Sequence, residues 1–173
     1  MKTTIRIINK INESMMWVVG AIVLIMGILL TYSVVMRYFF NNPPVWSFDL
    51  TGWFTGIAAF LGGGYALLYG AHVRVDIFYE KFPLKIQSVI NIFSSIFVFL
   101  IVIVFIWKGM EQVINNYQTG AIASTGLSIY LWIKWVMMPI GGILLGLQAI
   151  ANLIKDIYRI IKGEELIERK EIA

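Results

Sequence analysis

Four long stretches without a charged side chain constrain this chain more than any other feature. They run over residues 15–36, 50–71, 86–107 and 135–154. At a rise of about 1.5 Å per residue, a stretch of 22 residues such as 15–36 makes a helix of roughly 33 Å, enough to cross a hydrocarbon core of ~30 Å. None of them alternates with period two, so none reads as a barrel strand. Hydrophobic residues make up 59% of the chain and charged residues 14%, against about half and a quarter in a soluble domain. The excess is concentrated in these stretches. The sequence therefore predicts an all-α integral membrane protein, one domain over residues 1–173, with four transmembrane helices at those positions.

The breaks between the stretches are sharp. Asn41-Asn42-Pro43-Pro44 interrupts any helix, because each proline lacks a donor and restricts the residue before it. Pro83 closes the segment before the third span, and residues 108–134 form the longest connection. Pro139 falls in the first turns of the fourth span, where a membrane helix tolerates it if neighbours satisfy the freed carbonyl. The first stretch is too long for a signal-peptide core, and no small-residue cleavage site follows it, so it is expected to stay as a span.

The cations set the orientation. Eleven Lys and Arg residues lie in the N-terminal tail, the 72–85 connection and the C-terminal tail, against three (Arg37, Lys108, Lys134) on the other side. The rich side is expected to face the cytoplasm, giving an N-in, C-in protein. Trp46, Trp53, Trp107, Trp132 and Trp135 gather at the outer ends of spans, where indoles favour the headgroup level. Lys2, Arg6 and Lys10 against Ile5, Ile8 and Ile11 predict a short amphipathic segment lying at the membrane interface. Lys155, Arg159 and Lys162 against Ile157, Ile160 and Ile161 predict a second, each anchored on membrane lipid.

Several functions are excluded. A proton relay, a voltage sensor or a self-sufficient ion-coupled carrier needs ionisable groups inside its spans, and the four stretches hold none. A bis-histidine haem needs two imidazoles, and His72 is the one histidine. With no cysteine there is no thiolate metal site. No cofactor, metal site, catalytic group or nucleic-acid contact is expected.

What the spans do offer is close packing. Gly52, Gly56 and Gly63 on the second span and Gly142 and Gly146 on the fourth stand at spacings that let helix backbones approach. Their partner is a helix of this chain or of another. Arg37 and Asp49 flank the Asn-Asn-Pro-Pro turn, either as a snorkelling cation and a helix-start carboxylate or as a fixed outer corner presented to a partner. His72 and Asp76, four apart, share a face if the helix continues.

Two motifs are more specific. The run from Arg37 through Asn41, Pro43 and Trp46 to Asp49 resembles the first outer loop of the small membrane subunits of TRAP (tripartite ATP-independent periplasmic) transporters, the Q or DctQ-like subunits. Gly70-Ala71-His72-Val73-Arg74-Val75-Asp76 is similar to the signature that follows their second helix. Ser124-Thr125-Gly126-Leu127-Ser128, Trp132 and Pro139-Ile140-Gly141 follow in family-like order. The resemblance implies a subunit of the bacterial inner membrane in a sodium-driven importer of organic acids. It further implies a large multi-span membrane subunit that carries the substrate, and a periplasmic substrate-binding protein. This chain would then brace the large subunit as a non-catalytic scaffold and help dock the binding protein at its outer corner. Two other classes compete: a membrane anchor of a redox enzyme, and the small subunit of a tripartite tricarboxylate transporter.

Overall fold

A computed structural model describes residues 2–70, 82–123, 126 and 128–163, apart from the side chain of Leu84. Among the described residues, four helices follow in order: α1 Lys2–Phe39, α2 Trp46–Tyr69, α3 Leu84–Thr119 and α4 Leu131–Lys162. Three of them, α1, α3 and α4, are long and apolar enough to cross a membrane. The shorter α2 is not among them.

The helices outrun the charge-free stretches, and this corrects two expectations. The connection expected over 108–134 is mostly helix: α3 continues to Thr119 and α4 starts at Leu131. Loss of hydropathy after Trp107 marks a change of surroundings, not an end of helix. Residues 108–119 hold their turns with local contacts, among them an ion pair from Lys108 to Glu111 at 2.8 Å. The basic N-terminal segment is likewise no separate interfacial piece but the first turns of α1, a helix of 38 residues. Part of its apolar side is buried by protein: Ile5 is 1% exposed and packs with Ala151, Ile8, Ile154 and Tyr158, while Ile11 stays exposed. No helix breaker separates Lys10 from Met15. The basic segment 155–162 similarly forms the last turns of α4.

α4 is the centre of the bundle. It packs on α3 along its length and on α2, α2 packs on α1, and α1 meets α4 only at one end. The central apolar cluster joins Leu67, Val102, Leu145 and Ala149, with Val98, Phe99 and Ile106 against it. Glycines allow the close approach. A Cβ at Gly141 would sit 2.6 Å from the Phe60 carbonyl oxygen, at Gly142 3.1 Å from Ile106 Cγ1 and at Gly146 3.0 Å from Val102 Cγ1. Pro139 stays inside α4, with its ring against Gly109 of α3, where a Cβ would stand 2.7 Å from Pro139 Cδ. α2, α3 and α4 each end on a glycine with positive φ, Gly70 at 69°, Gly120 at 60° and Gly163 at 73°, the backbone of an αL helix stop.

Candidate functional site: the outer corner and the packing rows

The outer corner is built by sterics. α1 ends at Phe39 with Arg37 exposed in its last turn, where a cation suits the helix dipole. Asn41 then takes φ 50°, a left-handed backbone that asparagine tolerates better than most residues. The Asn42 N–H donates to the Met36 carbonyl at 3.1 Å, and Pro43-Pro44 carries the chain to α2. The Ser47 hydroxyl donates to the Pro44 carbonyl at 2.9 Å. Trp46 stacks on Tyr32 of α1, with centroids 6.2 Å apart and planes at 22°. Asp49 lies in the first turn of α2, and its Oδ2 is buried without a hydrogen-bond partner. Arg37 and Asp49 form no ion pair with each other, so any pairing of these two across the corner is absent among the described residues.

The second singled-out segment meets the first. Gly126, from the connection between α3 and α4, lies on the corner itself: a Cβ there would be 2.9 Å from Trp46 N and 3.2 Å from Trp46 Cα and Val45 C. The ends of that connection are pinned by Ala123 N–H to the Ile129 carbonyl at 3.0 Å and Leu131 N–H to the Ala121 carbonyl at 2.9 Å. Tyr117 meets Trp132 edge to face at 5.9 Å. Two loops far apart in sequence thus form one surface at this end of the bundle. His72, Arg74 and Asp76 lie outside the described residues.

The expected glycine rows divide. Gly142 and Gly146 face α3, and Gly63 faces Leu145 at 3.9 Å. Among the described residues, a Cβ at Gly52, Gly56 or Gly62 would meet nothing within 4 Å. With Thr55 and Ala59 exposed between them, they leave a shallow, small-residue stripe on α2.

A polar cluster at the other end of the bundle escaped the reading of the sequence. Gln148 and Asn12 are 0% and 1% exposed. The Asn12 amide donates to Gln148 Oε1 at 3.0 Å, and Gln148 Nε2 donates to Asn9 and Asn152 at 3.2 Å each. Asn152 donates to the Leu67 carbonyl at 3.1 Å, tying in α2. A Cβ at Gly64 would fall on Asn12 Oδ1, which is buried without a donor. A search for charge passes over neutral amides. Gln148 and Asn152, the two amides inside the fourth charge-free stretch, were the available signal.

The family model for the DctQ component of tripartite ATP-independent periplasmic transporters matches residues 25–159, from the middle of α1 to the last turn of α4. The chain belongs to the DctQ family. The match takes in the corner, the α3–α4 connection and the whole of α2 and α3. Among DctQ-like relatives, the ectoine TRAP transporter small permease protein TeaB of Halomonas elongata is 25% identical over 143 residues, covering 79% of this chain and 73% of that protein. The sialic acid TRAP transporter small permease protein SiaQ of Vibrio cholerae is 25% identical over 168 residues, 95% of this chain and 94% of that protein. This chain is thus a TRAP transporter small permease subunit and a membrane protein.

Proposed function

We propose that this DctQ subunit is a non-catalytic scaffold in a sodium-driven importer of organic acids, spanning the inner membrane four times with both ends in the cytoplasm. It braces the large multi-span subunit, and its outer corner helps dock the periplasmic binding protein. The observation that carries this reading is α2. A Cβ added at Gly52, Gly56 or Gly62 would meet nothing within 4 Å among the described residues. Small residues lose little by facing lipid but gain close van der Waals contact against another helix. On this reading α2 is the fourth span. The charge-free spans offer no residue to couple an ion to an anionic substrate, which leaves transport to the partner. Two relatives named for ectoine and for sialic acid stand at the same 25% identity, which favours a role that does not select the cargo. The DctQ match counts against a redox anchor and against a tricarboxylate-type small subunit.

A deletion tests this in cells. Removing this subunit while keeping the large subunit and the binding protein should abolish sodium-dependent uptake, and supplying it in trans should restore uptake. Uptake that survives the deletion contradicts a required brace.

A further inference from the structure

The charge-free stretches can be compared in height wherever two helices touch. Pro139 lies against Gly109, Phe105 and Ile106 against Gly142, and Val102 against Gly146. Trp107, the outer end of the third stretch, is therefore level with Ile140 and Gly141 of α4. Gly141 backs onto Phe60 of α2, and Phe60 is the middle of the second stretch. Five residues further out on α2, the Thr55 hydroxyl reaches Met26 Sδ of α1 at 3.8 Å. The helices run antiparallel, so Phe60 is level with Ala21, inside the first stretch. At the height where α3 acquires Lys108, α2 is in the middle of its apolar length and α1 is only six residues into its own. From Ala21 to the end of the first stretch at Met36 is a further 15 residues, roughly 22 Å of helix.

The opposite end gives the same offset by a separate contact. Ile5, ten residues outside the first stretch, packs on Ala151, inside the fourth. In the spatial order α1, α2, α4, α3, each apolar stretch is displaced toward the same end relative to the one before.

A bundle standing upright in a bilayer has its apolar lengths at one height. We infer that this one sits obliquely: the bilayer cuts the bundle on a slant, high on α1 and low on α3. The displacement of roughly 22 Å runs across a bundle about two to three helix spacings of 8–10 Å wide, since α1 also touches α4 directly, and corresponds to an inclination of roughly 35° or more. That lies at the upper end of observed helix tilts and shortens a 33 Å helix to about 27 Å or less across the membrane, close to the bilayer core. The exposed Lys108–Glu111 ion pair then rests at the outer headgroups, and Trp107, with the Lys108 ammonium 5.5 Å from its ring centroid, anchors that depth. The last turns of α3 overhang on the outside, and the first turns of α1 overhang on the inside at the opposite edge.

This inference rests on the four-span reading, and one experiment separates the two. The chain has no cysteine, and Ala21 and Lys108 are exposed. Nitroxide labels on A21C and K108C, each in the full chain in phosphatidylethanolamine–phosphatidylglycerol vesicles, report depth by their relative collision rates with oxygen and a water-soluble nickel chelate. The slant predicts label 108 at the headgroups and label 21 about 15 Å deeper, near the centre of a bilayer whose half-thickness is ~15 Å. Equal depths within the bilayer, or the reverse order, overturn the slant and leave the spans standing. Both labels open to the nickel chelate overturn the spans and the slant with them.

Discussion

The buried side chains of Asn12 and Gln148 join through a 3.0 Å hydrogen bond across 136 residues of sequence, tying the inner turns of α1 to the centre of α4. This bond fixes the register of a helix that otherwise touches mainly α2. Q148L should take away the Asn12 amide's acceptor on α4, leaving it only the Ile8 carbonyl at 3.3 Å, and lower stability by about 1–3 kcal/mol. Thermal unfolding in detergent, run as a double-mutant cycle with N12L, should give a coupling near ~0.6 kcal/mol and at most about 1.7, the range for hydrogen bonds between membrane helices. A coupling of zero would show that packing alone sets the register.

The glycines separate into two classes that mutation can tell apart. G141L places its side chain against the Phe60 backbone, where a Cβ alone would be 2.6 Å from the carbonyl oxygen. It should cost ~3 kcal/mol or more and unfold the purified subunit at lower temperature. G56L has open space and should leave the melting of the isolated subunit within about 0.5 kcal/mol. It should nonetheless reduce co-purification with the large subunit. Unchanged recovery of the complex with G56L would remove α2 as the docking face.

Gly126 is expected to be intolerant for a different reason. In G126V the side chain meets the Trp46 backbone, and the outer corner must open by tenths of an ångström at a cost of about 1–3 kcal/mol. Trp46 emission should shift as its stacking on Tyr32 loosens, when measured in a variant that keeps Trp46 as its single tryptophan. An unchanged spectrum would mean that the connection is not held on the corner.

Topology is open to direct labelling. Cysteines at Asn42 and Thr119, both exposed, should react with a membrane-impermeant maleimide from the periplasm, and cysteines at Lys10 and Glu164 only from the cytoplasm. Labelling of position 42 only from the cytoplasm would reverse the orientation.

The helices and the corner were legible in the sequence because hydropathy and proline act locally. Asn41 to Pro44 breaks a helix whatever surrounds it, and Gly142 and Gly146 pack where their spacing placed them. Helix ends were less legible: Lys108 and Glu111 leave the apolar stretch without leaving the helix, since an ion pair at that spacing supports further turns. The contact of Gly126 with Trp46 depends on how two loops meet in space, and no periodicity encodes it. The Asn12–Gln148 cluster was hidden because neutral amides carry no charge to stand out, and their burial depends on a partner 136 residues away. Gly52 and Gly56 had the same spacing as the buried glycines, and only the fold distinguishes a row that faces a neighbour from one that faces outward.

The central claim is that this subunit transports nothing alone and is needed by a partner that does. Reconstitution in liposomes tests it most directly, with an inward sodium gradient, the binding protein and labelled organic acid. Small subunit alone should give no uptake, large subunit alone little or none, and the pair robust sodium-dependent uptake. Sodium-dependent uptake by the small subunit alone, or full uptake by the large subunit without it, would contradict the scaffold role.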